Sequence, residues 1–383
     1  MADIDKAITF DEQIDLKVRD RSKGMEIEVD VTEENPELDS FEQMEDGSIA
    51  FGEPTPPMED TDFYANLADI MPDSDLNSLK NDLMSNIESD KDSRSDWEKT
   101  YREGLEYLGM KYEERSQPFE GASGVMHPLL SESVTQFQAQ AYNELLPSQG
   151  PVKTQVLGMT TPETEQQAAR VQEFMNYQLM QVMKEYDPET DQMLFYLPLS
   201  GSAFRKVYYD QNLGRAVSKF IPSEDLIVPY TATDLHSATR ITHVINMPMN
   251  DIRKLQQIGF YSDVDIDSGN MMADEIDDIQ EGIDELQGVK PSYDDDDTCK
   301  VHEIHTELDI EGFEDMNAEG EDTGIKLPYI VTIGNNKVLS IRRNYKENDQ
   351  LKQRINYFVH YKFLPGLGFY GFGLTHMIGG LSK

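Results

Sequence analysis

At Ser200 the spacing of apolar side chains changes, and that change constrains the fold more than any other feature of the chain. Upstream, apolar residues recur at three and four positions, which places them on one face of a helix. Downstream they alternate, which places them on one face of a strand. Helices first and strands afterwards make an α+β architecture, with a helical N-terminal part leading into a mixed sheet region.

Five helices are predicted before the switch. The first begins near 74 on Leu76, Leu79, Leu83 and Ile87, with Asp73 or Ser74 as N-cap. The second covers about 94 to 114, with Trp97, Tyr101, Leu105 and Leu108 inward and Arg94, Glu98, Lys99 and Arg102 outward. The loop Gln117 to Gly124 breaks it. A third helix, about 128 to 146, is carried by Leu130, Val134, Phe137, Ala141 and Leu145 and stopped by Pro147. Val152 to Leu157 reads as a strand. Thr161-Pro162 has the form of an N-cap followed by proline at the first helical position, and opens a fourth helix on Val171, Met175, Leu179 and Val182. Asp187-Pro188 repeats that form and opens a short fifth helix ending before Pro198.

Past Ser200, Ala203 to Tyr209 and Ala216 to Ile221 flank Asn212-Leu213-Gly214 as a hairpin. Strands follow at Leu226 to Pro229 and Arg240 to Asn246, then a short helix over 251 to 258, capped by Asn250 and stopped by Gly259. Lys300 to Ile310 is a strand. Tyr329 to Ile333 and Val338 to Arg342 form a second hairpin around Gly334-Asn335-Asn336, and Ile355 to Phe363 is the last strand. Leu374, Met377, Ile378 and Leu381 resume the helical spacing.

Charge separates the packed part from the rest. The 383 residues hold 73 Asp and Glu against 33 Lys and Arg, a net charge of -40. Acid is dense, without helical or strand period, in 1–60, which reads as a disordered extension, and again in an insertion at 262–297 ending in Asp294 to Asp297. A surface of this sign repels phosphate, so a protein that grips DNA by neutralising its backbone is a poor fit, whereas one past which DNA slides is compatible with it. A single cysteine, Cys299, forms no internal disulfide and suits a reducing cytoplasm. There is no apolar run of spanning length, and the first residues lack the basic and apolar regions of a signal peptide.

No motif survives as a catalytic, cofactor or metal site. Gly366-Leu367-Gly368-Phe369-Tyr370-Gly371 matches G-x-G-x-x-G after a strand, but the βαβ unit and the acidic residue about 20 positions on are missing, and a glycine and aromatic turn is the reading kept. His302 and His305 are three apart, and on a strand they point to opposite faces. Asp294 to Asp297, and Asp263, Asp265 and Asp267, lack the glycine and the twelfth-position Glu of a calcium loop. Ser123 and Ser202 stand outside G-x-S-x-G, Cys299 follows four aspartates that disfavour a thiolate, and no phosphate loop is present.

Three blocks upstream and four downstream occur in an order that resembles a known family. Ser95-Asp96-Trp97-Glu98-Lys99-Thr100-Tyr101-Arg102-Glu103-Gly104-Leu105, Gly124-Val125-Met126-His127-Pro128-Leu129-Leu130 and Glu144-Leu145-Leu146-Pro147 resemble the N-terminal region of portal proteins, the head-to-tail connectors of short-tailed bacteriophages. Leu199 to Asp210, Ile221 to Pro229 and Ala238 to His243 resemble that family's wing, and Phe369 to Leu374 the turn toward its stem. The resemblance covers about 75 to 383 and rests on order and spacing.

It implies a structural protein and not an enzyme. The expected assembly of the full-length protein is a ring of twelve copies at one capsid vertex of the virion, built in the host cytoplasm, through which double-stranded DNA enters and leaves, whereas the 383 residues alone are expected to stay monomeric or to associate weakly. Expected partners are the terminase large subunit, the major capsid and scaffold proteins, and tail or adaptor proteins, with no membrane. The expected organisation is an extension (1–60), a helical region (61–147), helices plus wing strands (148–261), the acidic insertion (262–297), further wing (298–373) and the first turns of a stem helix (374–383). Stem, clip and crown are expected to be lacking, and no site residue is carried over. The alternatives are a metal-dependent phosphohydrolase using the acidic clusters and an acidic interaction module.

Overall fold

The computed structural model describes residues 62–108, 127–266, 278–288, 298–316, 322–366 and 368–382. The acidic extension, the loop Gln117 to Gly124 and Asp294 to Asp297 lie outside them. Among the described residues the fold is mixed α and β, with eight α-helices and two antiparallel sheets. The helices are α1 Asp73–Asp92, α2 Ser95–Tyr107, α3 Leu129–Leu145, α4 Pro162–Tyr177, α5 Tyr186–Ser200, α6 Met249–Gln257, α7 Asp278–Gln287 and α8 Leu374–Ser382.

The smaller sheet has three strands, β1 Ser202–Asp210, β2 Arg215–Ile221 and β8 Phe358–Lys362, in the order β2-β1-β8. The larger has β3 Leu226–Ile227, β4 Arg240–Pro248, β5 Thr298–Leu308, β6 Leu327–Gly334 and β7 Lys337–Arg343, in chain order. Its register sets Thr242 against Ile304 and His243 against Glu303, so alternation sorts its two faces. On one face Ile227, Ile304, Val331 and Ile341 pack under Leu83 and Ile87 of α1. On the other, Leu226 and Ile241 meet Phe204 and Phe358 of the smaller sheet. Each fully buried side chain of this size contributes about 1.5–3 kcal/mol. The helical part has its own core, in which Tyr101, Leu105, Leu130, Val134 and Leu199 meet Ile279 of α7.

Local chemistry explains the element ends. The Thr161 hydroxyl accepts from the Thr164 N–H and the Thr164 hydroxyl accepts from the Thr161 N–H, a capping box at the start of α4. Asn335 and Asn336, at φ 41° and 64°, make the two-residue turn that right-handed strand twist favours between β6 and β7. Gly214 at φ 62° closes the β1–β2 hairpin.

Several expectations need correction. The N-cap of α1 is Pro72, and Asp73 and Asp75 occupy the first turn, where the helix dipole favours them. Likewise α6 starts at Met249 behind Pro248, with Asn250 inside it. Pro198 does not end α5: the helix runs through it to Gly201, whose φ of 84° makes the turn. Val152 to Leu157 pairs with no strand among the described residues, and side chains of α4 take its backbone groups. Leu145 is exposed and Leu146 buried in its place. The insertion at 262–297 contains α7, whose Ile279 is wholly buried. Arg94 faces inward, for the reason given below.

Candidate functional site

Between the two sheets lies a polar cluster that sequence patterning did not assemble. Lys206 on β1 places its Nζ 2.6 and 2.5 Å from the two carboxylate oxygens of Glu303 on β5. His305 stands two residues on, so it shares the face of Glu303, and its Nε2 lies 2.7 Å from Glu303 Oε1. His302 shares the opposite face with Ile304, as residues three apart on a strand must. Burial alone would raise the Glu303 carboxyl, but the Lys206 ammonium and the His305 hydrogen bond hold it well below the usual carboxylate range. Burial pushes His243, the cross-strand neighbour of Glu303, down to about 3 and lowers His305 as well. The cluster is an ionic tie across the sheet interface with neutral imidazoles around it.

A second lock holds the glycine and aromatic turn. Ser202 is fully buried; its Oγ accepts from the Gly371 N–H at 2.8 Å and lies 3.2 Å from His360 Nε2. A serine beside a histidine invites comparison with a nucleophile and base, but this serine is sealed from solvent and its hydroxyl secures the turn. His360 packs against both Phe204 and Phe369, at ring centroid distances of 4.4 and 4.7 Å, and burial pushes it down to about 3. A Cβ on Gly201 would run into the Gly371 carbonyl oxygen, so the G-x-G-x-x-G glycine at 371 serves close backbone approach to α5.

Arg94 is the third tie. Its guanidinium donates to the carbonyls of Ser223, Glu224 and Leu226 at 3.1, 2.5 and 2.9 Å, to Glu98 at 2.7 Å, and lies 3.1 Å from the Tyr370 hydroxyl. The planar five-donor fork reaches spread-out acceptors that a lysine, with its three donors on one nitrogen, would not span. It joins the start of α2 to the turn before β3 and to the aromatic turn.

Among the described residues no three His, Cys, Asp or Glu side chains converge as a metal site, and no helix is long and apolar enough to cross a membrane. Asp263 and Asp265 lie on the run after α6, Cys299 is buried on β5, and Asp267 and Ser123 fall outside the described residues.

What the frame presents outward is an arm. The helix α4, extended by a π turn at Gln178–Val182, buries none of its residues. Its Val171, Phe174 and Tyr177 are more than half exposed and Met175 nearly so, while Leu157 and Met159 before it are 88% and 86% exposed. Val171, Phe174 and Met175 follow the i, i+3, i+4 spacing, so the helix carries an apolar stripe with no partner among the described residues. Contiguous apolar surface of this kind marks an interaction site. A scan against protein-family models finds no match, and no curated protein matches the chain.

Proposed function

We propose that the chain is a structural subunit of a phage portal ring, which passes double-stranded DNA at one capsid vertex during packaging and ejection and performs no catalysis of its own. The observation that carries the reading is the arm: a helix with an intact capping box, no fully buried residue and an apolar stripe that its own chain leaves about half exposed. A rigid frame tied at three polar points and bearing an apolar arm is what a subunit of a larger assembly requires. The ordered blocks that resemble portal proteins support the same reading. The net charge of -40 supports it too, since negative walls repel a duplex weakly and evenly and let it move. The expected copy number is twelve, and the expected partners are the terminase large subunit, the major capsid and scaffold proteins and tail adaptors. Native mass spectrometry of the full-length protein tests it. A single closed multimer of many copies is expected, and a strictly monomeric full-length protein at micromolar concentration would contradict it.

A further inference from the structure

Residues 152–157 already form half of a ladder. The N–H of Val152 donates to Asn176 Oδ1 at 2.9 Å and its carbonyl accepts from Asn176 Nδ2 at 3.1 Å, while the Thr154 N–H donates to Gln172 Oε1 at 3.2 Å. In an extended chain alternate residues direct their backbone groups to opposite edges. Lys153 and Gln155 therefore turn theirs away from α4, and neither is joined by a backbone hydrogen bond to another element among the described residues. Burial alternates in step, with Val152, Thr154 and Val156 half-buried and Lys153, Gln155 and Leu157 exposed.

The same chain carries a matching edge. β8 stands at the end of the smaller sheet, and no further strand pairs with it among the described residues. Val359 and Tyr361 on β8, with Val207 and Tyr209 on β1, leave an exposed apolar strip beside that edge. Such an edge is a template for another strand.

We infer that neighbouring copies of this chain join by strand addition, the free edge of 152–157 in one copy extending the smaller sheet of the next at β8, with the α4 stripe laid over Val359 and Tyr361. The inference rests on the ring reading and names its contact. A second copy is the occupant because one chain supplies both halves, a one-sided strand and an open edge. The area also fits: the six exposed side chains of the arm offer roughly 750 Å² of largely apolar surface, against ~800 Å² per partner in a standard specific interface. Two different surfaces meet, so the contact is heterologous and runs head to tail until it closes.

Two variants of the full-length protein test it. Gln155→Pro removes an N–H that no described residue accepts, so the monomer should unfold within about 2 °C of the parent while association weakens at least ~10-fold. Mixing a Gln155→Cys chain with a Val359→Cys chain under oxidation should give a linked pair containing one of each, and neither chain alone should link to itself. An intact ring from Gln155→Pro, without that mixed pair, overturns strand addition and leaves the ring reading standing. Self-linking of Gln155→Cys alone overturns it in favour of an arm-to-arm dimer. A full-length parent that never associates overturns both.

Discussion

Replacing Lys206 with methionine keeps the side chain's length and most of its apolar contact and deletes its charge. The ammonium sits 2.5 Å from Glu303 Oε2, with 14% and 17% of the two side chains reaching solvent. Breaking a buried pair by removing one member costs about 3–5 kcal/mol, because the other charge stays buried without compensation. His305 still donates to Glu303, so the lower end, about 3 kcal/mol at pH 7, is expected. The pH dependence follows from the sign of the Glu303 shift. In the parent the carboxyl is depressed, so its contribution is present above the ordinary carboxylate value and is lost only as pH falls through the depressed one. In Lys206→Met burial is the dominant influence left and raises the carboxyl, so the variant takes up a proton earlier and its deficit narrows between pH 7 and pH 5. Urea unfolding followed by Trp97 fluorescence and circular dichroism at the two pH values measures both quantities. Adding Glu303→Gln should return part of the loss, since a buried amide costs less than an unpaired carboxylate. A deficit under ~1 kcal/mol at pH 7, or one that grows on acidification, would refute the tie.

Three further outcomes are expected. His243 and His360 are pushed down to about 3 and His302 to about 4 by burial, so stability is full above ~6.5 and falls as pH drops, by up to ~1.4 kcal/mol per pH unit for each histidine; a urea midpoint unchanged from pH 7 to pH 5 would contradict this. Gly201→Ala, at φ 84° and against the Gly371 carbonyl, should cost upwards of ~2 kcal/mol, whereas Gly214→Ala, at φ 62° in open space, should cost about 1 kcal/mol; equal thermal shifts would show that the close approach carries no weight. Ile279→Ala should cost about 3 kcal/mol by chemical denaturation, and a neutral result would mean that α7 does not contribute to the core.

What could be read from the sequence was what depends on neighbours along the chain. Thr161-Pro162 states its cap locally, Asn335-Asn336 states its turn, and the alternation on β5 already puts His302 and His305 on opposite faces. What escaped depends on distant partners. Arg94 was turned outward because a charge at a helix start is ordinarily solvated, and the carbonyls that draw it inward lie about 130 positions away, at Ser223 to Leu226. Glu303 and His305 were visible as same-face neighbours, but Lys206 comes from another sheet. Pro198 obeys no local stop rule because the end of α5 is set by the left-handed Gly201 and by burial around it. Val152 to Leu157 carries a strand's alternation, yet within one chain its backbone partners are amide side chains of α4. The apolar spacing of α4 predicted the helix, and the exposure of Val171, Phe174 and Tyr177 on it is the clearest functional signal in the molecule.

Electron microscopy of the purified full-length protein in negative stain decides whether it assembles a ring. Closed particles with rotational symmetry and a stain-filled axial channel are expected, lost when Phe174 and Tyr177 on the arm are both changed to Ser. Isolated monomers, or open filaments that never close, would contradict it.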